Sequence, residues 1–176
     1  MRKLKTTELE RINVEEFRDS RKVPLTVILE DVRSMLNVGS AFRTCDAFRI
    51  KKLILCGITA KPPHREITKS ALGATESVEW IHFESVQDAI DSLDPNTRII
   101  AIEQVENSKS LTEFDPNWDN EYAIIFGNEV EGVSEKALES SASALEIPQY
   151  GTKHSLNVSV SIGIVLWQFV KGYKFE

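Results

Sequence analysis

Ile147-Pro-Gln-Tyr-Gly-Thr-Lys-His-Ser-Leu-Asn-Val-Ser159 is the stretch on which the reading of this chain turns. It is rich in small and polar residues and runs directly into an apolar C-terminal segment. Irregular backbone beside a buried helix must satisfy its N–H and C=O groups, and a ligand often does so. Gly151 is expected to relieve steric crowding in the loop, and Ser155 or Asn157 to cap the helix that follows. That helix, predicted over 157–171, is apolar on nearly every side, with Ser159, Ser161 and Gly163 small enough for close packing. A helix apolar all round is buried, and in a chain of 176 residues this predicts a partner subunit over one side.

Working outward, the composition is that of a globular domain, with 41% hydrophobic and 27% charged residues. No apolar run reaches the roughly twenty residues of a membrane span. Met1-Arg-Lys-Leu-Lys-Thr6 lacks the apolar core of a signal peptide. Cys45 and Cys56 have no metal or redox spacing and suit reduced thiols. Together these predict a cytoplasmic protein with no membrane partner.

The net charge of −6 argues against a polyanionic partner, but its distribution argues for one. Residues 1–73 carry 15 basic against 9 acidic side chains, and residues 74–176 carry 6 against 18. The candidate basic face is Arg2, Lys3, Lys5, Arg33, Arg43, Arg49, Lys51, Lys52, Lys61, Arg65 and Lys69. Solvated surface charges explain the same list.

Periodicity predicts helices over 6–19, 37–48, 67–72, 86–93, 134–140 and 157–171. Short apolar strands are predicted at 26–29, 53–55, 78–81, 98–102, 122–126 and 145–147. The alternation means an α/β fold with a mostly parallel sheet and helices on both faces. In such sheets ligands bind beyond the carboxyl ends of the strands.

Three clusters sit there. In Asn37-Val-Gly-Ser-Ala-Phe-Arg43, Asn37 reads as a helix N-cap whose amides form an anion site. Gly39 would leave a hollow in front of Arg43, whose guanidinium suits a phosphate; pairing of Arg43 with Asp46 is the plainer alternative. Gly127-Asn-Glu-Val-Glu-Gly132 presents Glu129 between two glycines at a strand's end, although a simple turn explains the glycines equally well. The third cluster is the 147–159 loop.

Taken in order, Asn37-x-Gly-x-x-x-Arg43, Gly127-Asn-Glu129-x-x-Gly132-Val and Ile147-Pro-x-x-Gly151-x-x-x-Ser155-Leu-Asn-Val-Ser159 resemble the SpoU/TrmH family. These are RNA ribose 2′-O-methyltransferases of the SPOUT superfamily, and the resemblance runs from about residue 24 to 171. It implies a SPOUT domain over 24–176 behind an N-terminal helical extension, residues 1–23. It also implies a C-terminal deep trefoil knot that holds S-adenosylmethionine, with cofactor contacts at Gly127, Ile147 and Leu156. Asn37, Arg43, Glu129, Ser155 and Asn157 would be the catalytic or substrate-orienting residues. The implied partners are tRNA or rRNA and a second copy of the chain, a homodimer through the knot with Arg43 facing the partner's cofactor. No metal is implied. Departures at Gln149, Ser161 and Thr44-Cys-Asp-Ala-Phe-Arg49 leave those polar residues intact.

Methyl transfer requires a 2′-hydroxyl aligned with the sulfonium methyl and relieved of its proton. The resemblance gives that proton to Arg43 with help from an RNA phosphate. Alternatively, Arg43 fixes the phosphate and stabilises the developing alkoxide while Ser155 or a water relays the proton. A non-catalytic RNA-binding member of the fold is the rival reading. A Rossmann-type enzyme is disfavoured, because no Gly-x-Gly-x-x-Gly follows the first strand.

Overall fold

The structure is a computed structural model and describes residues 1–175. Seven parallel strands form one sheet: β1 (Val23–Glu30), β2 (Ile50–Cys56), β3 (Trp80–Phe83), β4 (Arg98–Ile102), β5 (Lys109–Ser110), β6 (Tyr122–Phe126) and β7 (Ser143–Glu146). Their order is β3-β2-β1-β6-β4-β7-β5, so β6 and β4 lie between the N-terminal and C-terminal strands. The central strands alternate cleanly. Val27 and Leu29 of β1 and Ile124 and Phe126 of β6 face one core, while Ile28, Ala123 and Ile125 face the other.

The larger core is covered by α1 (Val14–Asp19), α2 (Met35–Ala47), α3 (Arg65–Ala71), α4 (Ala74–Ser77) and α7 (Val158–Val170). The opposite face carries α5 (Val86–Asp91) and α6 (Glu135–Glu139). This is the expected α/β architecture with helices on both faces. None of the described helices is long and apolar enough to cross a membrane.

Several local expectations are corrected. The helix expected over 6–19 breaks into a 3-10 turn at Thr6–Glu8 and α1. Glu10 takes a positive φ of 46°, and Asn13 and Glu16 form a capping box that restarts the chain at Val14. Its Phe17 is buried in the core, and Arg18 donates to the Glu76 carbonyl at 2.5 and 3.1 Å, which ties α1 to α4. The two-residue β5 carries too little apolar pattern to be read from sequence.

The final helix is not buried all round. Ile162, Val165, Leu166 and Phe169 lie at 0% exposure, whereas Val160 is 50% and Trp167 61% exposed. The chain's own fold covers one side of α7 only. Gly163 has nothing within 4 Å of a Cβ built on it, so its smallness serves no packing within the chain.

Candidate active site

The second and third clusters meet beyond the carboxyl ends of β4, β6 and β7, and the first joins them through Asn37 alone. The Gly127–Gly132 segment closes on itself: Asn128 and Gly132 exchange backbone hydrogen bonds at 3.0 Å in both directions. A Cβ on Gly127 would lie 2.1 Å from the Gly132 carbonyl carbon and 2.2 Å from the Val133 nitrogen, so this position requires glycine. Gly132 has φ +71°, the left-handed region that glycine tolerates. Both glycines therefore serve the turn, as expected.

The turn aims Glu129 at the start of α2. Its carboxylate accepts from the backbone amides of Arg33 and Ser34, each at 3.1 Å, and from the Asn37 side-chain amide at 3.1 Å. Burial alone would push this carboxyl up. The amides of Arg33, of Glu129 itself and of Ser34, with the Asn37 side chain, outweigh burial and hold it below its ordinary range.

Two expectations about α2 change here. Its N-cap is Ser34, whose hydroxyl accepts from the Asn37 amide at 3.3 Å; Asn37 is inside the helix. The positive end of α2 is filled by Glu129, so it is no open anion site. Nor does Gly39 leave a hollow. A Cβ there would stand 2.0 Å from the Ser70 hydroxyl and 2.6 Å from the Ile67 carbonyl, so Gly39 is the close contact between α2 and α3.

Asn37 links Glu129 to the 147–159 loop. Asn157 caps α7, its side-chain oxygen accepting from the Ser159 amide at 2.9 Å and hydroxyl at 2.6 Å. Its amide nitrogen donates to the Asn37 side-chain oxygen at 3.2 Å. A carboxylate accepts only, so the Asn37 nitrogen must face Glu129 and its oxygen must face Asn157. Polarity is thereby set from Glu129 through Asn37 to Asn157. Replacing Glu129 with glutamine is expected to reverse or break this order and cost about 1–2 kcal/mol at pH 7. Because the folded-state pKa is depressed, that difference is full above pH 4.5, the ordinary value. It shrinks as pH falls through the lowered folded value, and chemical denaturation of both proteins at pH 7 and pH 3 measures it.

Between these elements lies a cleft of about 450 Å³, in the range of small-molecule sites, about 300–1,000 Å³. Gly127, Ile147 and Leu156 line it, together with Glu129, Ser155 and Asn157. Asn37 stands behind that wall through its bond to Asn157. Arg43 does not reach the cleft of its own chain; it is exposed on α2, and among the described residues no hydrogen bond or ion pair holds it. The pairing with Asp46 does not form, because Asp46 accepts from Ser77. Gly151 is exposed and has nothing within 4 Å of a Cβ built on it, so it relieves no crowding.

Sequence reasoning missed Glu103, Gln104 and Glu30. Glu103, one residue past β4, accepts from the Val133 amide at 3.0 Å and fixes the far end of the glycine turn. Gln104 donates to the His154 carbonyl at 2.8 Å and holds the loop over the cleft. Buried Glu30 accepts from the Ser134 amide at 3.0 Å. Their only sequence signal was a polar residue immediately after an apolar strand. The thiols take no part: both are buried, which raises both pKa values, that of Cys56 to about 12 with Glu30, Asp31 and Asp88 adding to the effect.

The cleft has a definite electrostatic character. Glu103, Glu129, Glu131 and Glu146 line it, and none of its described lining residues is Lys or Arg. Ile102, Phe126, Leu145 and Val158 give it apolar walls. Such a site suits a ligand that has both apolar and cationic parts.

Known proteins resemble this chain over most of its length. A tRNA (guanosine(18)-2′-O)-methyltransferase from Thermus thermophilus is 30% identical over 166 residues, covering 92% of this chain and 82% of that protein. The crystal structure of the TrmH/SpoU tRNA modifying enzyme of Aquifex aeolicus superposes with a TM-score of 0.76 at 27% identity, over 88% of this chain and 78% of that one. An AdoMet-bound rRNA methyltransferase from Sinorhizobium meliloti shares the fold, with a TM-score of 0.79 at 23% identity over 90% of this chain and 60% of that one. A sequence profile of the SpoU rRNA Methylase family matches residues 24–167, which takes in all three clusters and every residue that lines the cleft, and the chain belongs to that family.

Proposed function

We propose that this protein transfers a methyl group from S-adenosylmethionine to a ribose 2′-hydroxyl of tRNA or rRNA. The observation that carries the reading is one acidic cleft lined by the second and third clusters, with Gly127, Ile147 and Leu156 in its lining and the Glu129–Asn37–Asn157 chain tying the first cluster to its edge. The cofactor supplies a methyl group made electrophilic by its positively charged sulfur, which suits a cleft lined by carboxylates. Names of relatives support both RNA classes: tRNA guanosine in the Thermus thermophilus protein and rRNA in the family description.

Roles follow from placement. Gly127, Ile147 and Leu156 contact the cofactor. Ser155, exposed in the cleft wall, is the hydroxyl assigned to the substrate side, and Asn157, Asn37 and Glu129 hold that wall in register with α2. Arg43 grips the substrate phosphate and stabilises the developing alkoxide, while Ser155 or a water takes the proton onward. Because Arg43 lies outside its own chain's cleft, it acts on the cleft of a second copy.

The homodimer buries the open side of α7. Leu36, Tyr150, Val160, Ile164 and Trp167 are all exposed, an apolar surface that a soluble monomer rarely keeps. The C-terminal deep trefoil knot rests on the family resemblance, and in it the Gln104–His154 bond would hold the post-β4 segment against the loop. Residues 24–176 are the methyltransferase domain and 1–23 an extension docked through α1. The protein works in the cytoplasm, where its RNA substrates are.

Trp167→Glu is expected to convert dimer to monomer in sedimentation velocity and to abolish methyl transfer with it. The reading as a whole is tested by incubating the chain with methyl-labelled S-adenosylmethionine and RNA from cells lacking it. The non-catalytic alternative predicts RNA binding without labelling.

A further inference from the structure

The cations that the sequence marked as one basic face fall into two groups in the fold. Lys51 pairs with Glu121 at 2.7 Å, Lys52 with Glu79 at 2.8 Å and Arg2 with Glu8 at 2.8 Å. The Arg49 guanidinium lies over the Phe175 ring, 5.3 Å from its centre. These are occupied. Lys61, Arg65 and Lys69 are exposed, as are Lys3, Lys5, Arg33 and Arg43, and among the described residues no ion pair or hydrogen bond holds the side chain of any of these seven; Lys61, Arg65 and Lys69 are the three that lie together on one loop and short helix.

Their placement is ordered. Lys61 precedes Pro62-Pro63-His64, the loop that leads from β2 to α3, and His64 caps α3 by accepting from the Glu66 amide at 3.2 Å. Arg65 and Lys69 are one helical turn apart, so both ammonium and guanidinium rise from the same outer face. Ile67 and Ala71 on the other face are buried. Gly39 of α2 meets α3 at Ser70 and Ile67, and Asp46 of α2 meets Ser77 of α4. Arg43 lies between Gly39 and Asp46 on the α2 flank that meets α3 and α4, whereas Arg65 and Lys69 rise from the outer face of α3. Glu66 is the one acidic side chain on α3.

We infer that Lys61, Arg65 and Lys69 form a phosphate-binding ridge for the RNA backbone flanking the methylated nucleotide. The inference rests on the methyltransferase reading above. A cation already neutralised by a carboxylate releases few counterions on binding RNA, whereas an unpaired one releases its full share. Three unpaired cations on one exposed loop and helix face therefore contribute affinity for the substrate without touching the reacting atoms.

The test is the triple variant Lys61→Gln/Arg65→Gln/Lys69→Gln, compared with Lys51→Gln/Lys52→Gln, on tRNA and rRNA from cells lacking the protein. The ridge predicts an RNA KM raised about tenfold or more and a log–log salt slope shallower by about 2–3, at a kcat and cofactor affinity within about twofold of wild type. The paired-lysine variant leaves KM within about twofold, and Arg65→Lys alone keeps most of the affinity because the charge is retained. A triple variant with KM and salt slope unchanged, while the wild-type chain methylates the same RNA, overturns the ridge and leaves the methyltransferase reading standing. A wild-type chain that neither methylates nor binds either RNA overturns both.

Discussion

Arg43→Ala is expected to lower methyl transfer by about 10²–10³-fold, with S-adenosylmethionine affinity within about twofold of wild type. The two readouts separate because the role assigned to Arg43 is on the substrate phosphate and hydroxyl, whereas Gly127, Ile147 and Leu156 line the cleft assigned to the cofactor. The side chain is exposed on α2 and among the described residues has no partner, so its removal leaves the fold without a buried orphan group. What is lost is a fixed positive charge at the developing alkoxide and at the substrate phosphate. Arg43→Lys restores the charge but not the two-pronged grip, and part of the rate should return. Single-turnover rates with saturating cofactor, set beside cofactor titration calorimetry, measure both quantities. Turnover unchanged in Arg43→Ala removes the residue from the mechanism.

Gly127→Ala carries the second large effect, and it should appear in cofactor binding and stability together. The added methyl would sit 2.1 Å from the carbonyl carbon and oxygen of Gly132 and 2.2 Å from the Val133 nitrogen, all backbone atoms. Those atoms are held in turn, since the Val133 amide donates to Glu103 and Gly132 is paired with Asn128. Relief must come from opening the turn, at about 1–3 kcal/mol of stability. Opening it also moves Glu129 away from the start of α2 and disturbs one wall of the cleft, so cofactor affinity should fall at least about tenfold, equivalent to about 1.4 kcal/mol. Gly151→Ala is the internal control. Nothing lies within 4 Å of a Cβ there, and φ is not positive, so stability should be unchanged within about 0.5 kcal/mol. Thermal melts and cofactor titrations of the two alanine variants make the comparison.

That contrast shows what the linear chain discloses. Strand and helix positions were legible wherever apolar side chains repeat, as in β6 and α5, because burial on a sheet or helix face imposes the period. The glycine turn was legible too, since glycines flanking a polar segment after an apolar strand have few other uses. Contacts across long separations were not. Ser34 rather than Asn37 caps α2 because Asn37 is wanted by Glu129 and Asn157, residues 92 and 120 positions away. Gly39 looked like a hollow because nothing in its neighbourhood of sequence reveals α3 lying against it. Gly151 looked constrained because glycine in a loop usually is, yet its surroundings are open. Glu103 and Gln104 carry no motif of their own; only the parallel pairing of β4 with β6 and β7 brings them to the turn and the loop. The paired and unpaired lysines could not be sorted from sequence either, since Lys51 and Lys52 differ from Lys61 only in having Glu121 and Glu79 beside them in the fold.

The central claim, ribose 2′-O-methylation of RNA, has a direct chemical signature. A 2′-O-methyl group removes the hydroxyl that alkali needs to cleave the adjoining phosphodiester. RNA from cells lacking the protein, incubated with the purified chain and methyl-labelled S-adenosylmethionine, is hydrolysed to completion in alkali and the products are separated. The account predicts label in alkali-resistant dinucleotides; label confined to mononucleotides, or none in RNA at all, would contradict it.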